Sequence, residues 1–225
     1  MTQSSSKNQN KRKSNFWGKI AGLITILAAI ATIVALILPH PEVDNIEKIR
    51  NLLEDQKEMS IFKDRTVISD SVLNSNPNLK EIYNLQSEII QYFMVCDRLS
   101  LPSEEISFET KKYVCIQNLK ILYELQEISG MINTAAKKIV ENNSSLEKYI
   151  DMPSLEKVPE DTQSLNNDLV KVNKKLDEAT TEEEKIKIIW KLLDSDTVYK
   201  ALESKKKAYV SIFKACEVVI NRNSK

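Results

Sequence analysis

Residues 76–96 read NPNLKEIYNLQSEIIQYFMVC. Asn76 is a good helix-capping residue, and Pro77 suits the first helical position, where no backbone N–H is needed. Leu79, Ile82, Ile89, Phe93 and Cys96 then recur at steps of three, four and seven, so they fall on one helical face. Gln86 is the single polar member of that seam. The stretch predicts an amphipathic helix of about five turns, one that needs partners to cover its apolar side.

The same period extends outward in both directions. Upstream, Asp44-Asn45-Ile46-Glu47 has capping-box spacing, and Val43, Ile46, Ile49 and Leu53 follow at helical intervals. Ile61, Phe62, Val67, Ile68, Val72 and Leu73 suggest a further short amphipathic piece. Downstream, Leu101-Pro102-Ser103 breaks the chain, and Ser103, Glu104 and Glu105 suit a new helix start. The next helix is expected to reach about Val140, with Phe108, Cys115, Leu119, Leu122, Leu125, Ile128, Ile132, Ala135 and Ile139 along it. Gly130 inside it marks a close contact or a kink. Asn142 to Ser145 reads as a turn. Pro153 and Pro159 make residues 151–162 an irregular connection, with helix resuming over 162–179. Thr181-Glu182-Glu183-Glu184 is a capping box. Asp194-Ser195-Asp196 opens the last helix, lined by Val198, Leu202, Tyr209, Ile212, Phe213, Cys216 and Ile220.

Only three glycines occur in 225 residues, which leaves few tight turns for a β-rich fold. The fold class is all-α: an antiparallel bundle of five to seven helices over residues 39–225. A polar basic tail, 1–15, and an apolar anchor with its interfacial flank, 16–38, precede it.

The anchor reading rests on residues 20–38, IAGLITILAAIATIVALIL, which contain no charge. As a helix they span about 28 Å, close to the hydrocarbon thickness of a bilayer. Trp17 and Lys19 fit a membrane interface, the ring in the headgroup belt and the ammonium snorkelling. The run is longer than a signal-peptide core, and Leu36-Ile37-Leu38-Pro39 offers no small-residue cleavage site. An uncleaved single-pass anchor in the cytoplasmic membrane follows. Residues 1–19 hold five basic groups and no acid, so the N-terminus is expected inside and the bundle outside. Ala21, Thr25, Ala28, Thr32 and Ala35 form a small-residue stripe, and Gly18 with Gly22 forms a GxxxG at its cytoplasmic end. Small side chains allow close helix approach in lipid, so the span is expected to self-associate or to dock on a partner membrane protein.

The formal net charge is zero, but its distribution is uneven: 14 basic against 23 acidic groups over 39–170, and 13 against 9 over 171–225. Lys205, Lys206 and Lys207 form the densest basic run, a candidate contact for anionic lipid or an acidic partner. A bundle held outside the membrane is not expected to meet nucleic acid. His40, the single histidine, lies between two prolines. It rules out a two-histidine metal site and a Ser/His or Cys/His pair within the bundle. The glycines are unclustered, so no phosphate-cradling loop is present. Glu104/Glu105 and Glu182 to Glu184 sit at helix starts, where capping explains them. Cys96, Cys115 and Cys216 form no CxxC pair and read as buried thiols, although in an exported domain one disulfide would be possible.

No cofactor, metal or catalytic residue is expected. The sequence leaves any small-molecule ligand open. The expected role is a membrane-anchored helical interaction or sensor module binding a protein partner, acting as oligomers. The alternative is an oligomeric membrane-perturbing effector.

Overall fold

The computed structural model describes residues 45–58, 65–101, 106–142 and 144–223. Among them are seven α-helices, one 3₁₀ turn and no strand: α1 (Asn45–Glu58), α2 (Asp70–Ser75), α3 (Pro77–Cys96), α4 (Phe108–Asn142), the 3₁₀ turn Ser144–Tyr149, α5 (Met152–Glu178), α6 (Glu182–Leu193) and α7 (Asp196–Asn223). The tail 1–15 and the anchor 16–38, with Trp17, Gly18, Lys19, Ala21, Gly22, Thr25, Ala28, Thr32 and Ala35, lie outside the described residues, as do His40 and Pro102 to Glu105. Among the described residues no helix is long and apolar enough to cross a membrane.

The local start signals work as their chemistry requires. The Asn76 side chain accepts a hydrogen bond from the Leu79 N–H at 3.2 Å, and Pro77 occupies the first turn. At α6 the Thr181 hydroxyl accepts from the Glu184 N–H at 3.2 Å, while the Glu184 carboxylate accepts from the Thr181 N–H at 3.3 Å. That reciprocal pair satisfies two otherwise orphaned donors. The Ser195 hydroxyl accepts from the Val198 N–H at the start of α7.

Two expectations are corrected. The segment 151–162 is not an irregular connection: α5 runs unbroken from Met152 to Glu178 with Pro159 inside it. Pro153 sits in the first turn, where its missing N–H costs nothing, and Asp151 caps that turn by accepting from the Ser154 N–H. Pro159 is exposed, so the helix passes it on the solvent side, while Val158, Leu165, Leu169 and Val172 hold the other face in the core. Of the expected amphipathic piece around 61–73, Ile61 and Phe62 lie outside the described residues, residues 65–69 are not helical, and α2 begins at Asp70. Ile68 and Leu73 are buried, but Val67 is 86% exposed.

The core is organised around α7. Val198, Ala201, Leu202, Ala208, Tyr209, Ile212, Phe213, Ala215, Cys216 and Ile220 are buried on it, covering more than one face. Helices α1, α3 and α5 and the 3₁₀ turn all pack against it. Its long-range bonds pair Gln86 with Glu217 and set the Tyr92 ring edge-on to Tyr209, 4.9 Å apart, so α3 runs antiparallel to it. Helix α1 runs parallel to it: Asn45 donates to the Asp194 carbonyl, and Lys206 donates to the Leu52 carbonyl one end further on. Helices α3 and α4 form an antiparallel pair, tied by Glu81–Lys138 at one end and Arg98–Glu124 at the other. Asn118, fully buried, exchanges hydrogen bonds with the Ser100 backbone and so fixes the start of the connection between them.

A polar latch joins residues 65 and 66 to this core. Gln86 is fully buried and uses both ends of its amide: it accepts from the Arg65 guanidinium at 3.0 Å and donates to Glu217. Arg65 also donates to the Tyr83 carbonyl and the Ser87 hydroxyl, and lies 4.0 Å above the Tyr83 ring. Thr66 closes the circuit by donating to the second Glu217 oxygen. This explains the one polar residue in the α3 seam, because a buried amide is tolerated when its donors and acceptors are satisfied.

Candidate functional site

A concavity of about 830 Å³ lies where α1, the 3₁₀ turn and α7 meet. Helix α1 contributes Lys48, Asn51, Leu52 and Asp55, residues one or two turns apart on one face. The turn and the entry to α5 contribute Lys148, Tyr149, Ile150 and Asp151. Helix α7 supplies the long wall, from Tyr199 and Glu203 through Lys206, Lys207, Val210 and Ser211 to Lys214. That wall is about 22 Å long at the rise of an α-helix.

The charges of this cleft do not cancel. Five lysines face three carboxylates, and the carboxylates are already engaged. Glu203 pairs with Lys207 at 3.0 Å, and Asp55 meets Lys206 at 3.6 Å. Asp151 is committed to the N-terminus of α5: hydrogen bonds from the Ser154 hydroxyl and N–H hold its carboxyl below the usual range. Lys48, Lys148 and Lys214 therefore have no carboxylate partner among the described residues. Lys48 lies 5.2 Å from the centre of the Tyr199 ring, and Lys148 lies 4.8 Å from that of Tyr149, contacts that orient an ammonium without neutralising it.

Tyr149 stands at the lower end of the cleft. Hydrogen bonding from Lys148, with added bonding and charge from Arg222, holds its phenol below the ordinary tyrosine value. The Arg222 guanidinium donates to its oxygen at 3.3 Å. Tyr199, at the other end, is shifted the opposite way by desolvation and by the nearby Glu203 charge. The floor between them includes Leu52 and Val210, both half-buried. An arrangement of free ammonium groups, two tyrosines and a narrow apolar floor can hold an extended or helical anionic segment.

The basic run Lys205 to Lys207 does not act as one patch. Successive helical residues turn by about 100°, so the three ammonium groups diverge. Lys206 and Lys207 border the cleft, whereas Lys205 points into the core, 1% exposed, and donates to the Gln126 amide oxygen at 2.8 Å. Burial pushes Lys205 down to about 8, with the Asp161 charge opposing that only in part. Lys214 stands near the basic run in the sequence, whereas Lys48, Lys148, Tyr149 and Tyr199 were not legible as site residues there.

Among the described residues no three His, Cys, Asp or Glu side chains converge as metal ligands. Cys96, Cys115 and Cys216 are all buried and unbonded to one another. Burial pushes the Cys96 and Cys216 thiols up to about 12. No family model, curated protein or solved structure matches the chain.

Proposed function

We propose that the chain is a membrane-anchored helical interaction module, acting as oligomers, whose lysine-lined cleft takes an acidic segment of a protein partner at the membrane. Residues 16–38 supply the anchor, through the uncharged run from Ile20 to Leu38. The observation that carries the partner-binding part is the trio Lys48, Lys148 and Lys214, free of carboxylates around a concave surface with an apolar floor. An acidic amphipathic segment complements both features, placing carboxylates on the lysines and apolar side chains over Leu52 and Val210.

The test uses the full chain in its native membranes, with a photoreactive residue at Asn51. Crosslinking is expected to yield a defined protein adduct, which weakens as ionic strength rises. The pair Lys148→Glu and Lys214→Glu is expected to abolish it. An adduct of unchanged yield in the charge-reversed chain would overturn the cleft assignment. Release of the whole chain by alkaline carbonate would overturn the anchor.

A further inference from the structure

We infer that the outer face of α4 is a self-association surface, on which two copies of this chain pack their α4 helices antiparallel about a two-fold axis near Tyr123. Helix α4 is flanked by α3 on one side, through Arg98–Glu124 and Glu81–Lys138, and by α6 on the other, through Lys112–Glu182. Its remaining face looks outward. Four large apolar side chains lie there: Tyr113 66% exposed, Ile116 37%, Tyr123 38% and Met131 47%. They follow a helical stripe that Lys120 and Glu127 complete.

Gly130 lies on the same side. A glycine in the middle of a helix costs about 1 kcal/mol relative to alanine. A Cβ placed there would meet nothing within 4 Å, and the residue has no positive φ. Among the described residues no contact requires its smallness. On a helix surface that faces a second helix, the same glycine permits a close backbone approach.

The order of residues along the stripe selects the occupant and its direction. In an antiparallel pair, positions equidistant from the Tyr123–Glu124 peptide bond face each other across the axis. Ile116 then meets Met131 of the second copy, and Lys120 meets its Glu127. Neither Lys120 nor Glu127 has an ion-pair partner in its own chain among the described residues. A parallel pairing in register would instead set Lys120 on Lys120 and Glu127 on Glu127. The face is thus self-complementary in one orientation, as an isologous interface must be.

This deepens the oligomeric part of the function proposed above and depends on neither the cleft nor the anchor. The test uses the full chain in membranes, with Ile116→Cys and Met131→Cys introduced together. Within one chain these positions are about 22 Å apart along the helix, so a short bismaleimide joins them only between copies. The native cysteines are buried and leave the background low. The double variant is expected to give a covalent dimer, and each single variant little. Lys120→Glu is expected to lower the dimer yield at least about tenfold through two like-charge contacts. Adding Glu127→Lys to it is expected to restore the yield, while Lys148→Glu with Lys214→Glu is expected to leave it unchanged. Absence of the dimer, equal crosslinking by the single variants, or no recovery on double charge reversal would overturn the inference. Loss of the dimer on reversing the cleft lysines would move the contact to the cleft and overturn it too.

Discussion

The Lys205 ammonium lies 2.8 Å from the amide oxygen of Gln126, inside the bundle and 1% exposed. No carboxylate of the described residues lies within ion-pair distance of it, and desolvation has lowered its value from 10.5 to about 8. Below pH 8 the folded protein carries a buried charge that the unfolded chain would solvate freely. Between pH 8 and 10.5 the unfolded chain binds the extra proton, so this residue makes stability rise with pH. The interval corresponds to about 3 kcal/mol. Lys205→Met is therefore expected to be the more stable protein at pH 7, with its advantage shrinking by about that amount by pH 10.5. Urea titrations of both proteins across this range measure the difference directly. Cys96, whose raised value lowers stability at high pH, also senses the Lys205 charge, so both proteins carry Cys96→Ala in this comparison. A difference that stays constant with pH would count against a buried, titrating Lys205.

The latch through Gln86 gives a second expectation. Gln86→Leu removes one amide that serves Arg65 and Glu217 together. Both charged groups keep other partners, so the expected cost is about 2–3 kcal/mol. The region set loose is residues 65 to 69, joined to α3 and α7 by these bonds. Hydrogen exchange is expected to accelerate there first, ahead of the α7 core. Uniform loss of protection would show that the latch is not a local device.

A helix cap and a helix-interior proline are expected to act with opposite sign. Thr181→Ala removes the hydroxyl that caps α6 and is expected to cost about 1 kcal/mol. Pro159→Ala restores a backbone donor within α5 and relieves the ring's clash with the preceding turn. Its expected effect is a gain of about 1–3 kcal/mol, reduced by the greater freedom of the unfolded chain. Chemical denaturation of the two variants tests both. A loss of stability on replacing Pro159 would mean that the ring makes a contact outweighing its cost.

The thiols provide a fourth check. All three are buried, and burial raises each one. Native protein is expected to resist iodoacetamide near neutral pH, and three labels are expected to appear together on unfolding. Rapid labelling of one site in the native protein would contradict its burial.

Much of the bundle was written locally. Caps such as Asn76-Pro77 and Thr181 to Glu184, and apolar seams such as Leu79 to Cys96, act within a few residues, and the folded chain uses them as local chemistry dictates. Pro159 misled because the rule against helix-interior proline does not say which side the ring faces. On the exposed side of a helix anchored by Val158 and Leu165, the penalty is outweighed. Of the basic run, Lys206 and Lys207 border the cleft while Lys205 turns into the core, since successive side chains fan around a helix. The cleft itself had no local signature. It joins Lys48 to Lys214 across nearly the whole domain, and only the parallel packing of α1 on α7 brings them to one surface.

The cysteines carry a further consequence, for biogenesis. With every thiol enclosed and none bonded to another, the domain owes no part of its covalent structure to an oxidant. It needs no disulfide-forming machinery to mature and loses no crosslink in a reducing compartment. The described bundle therefore has the same covalent structure in an oxidising and in a reducing compartment.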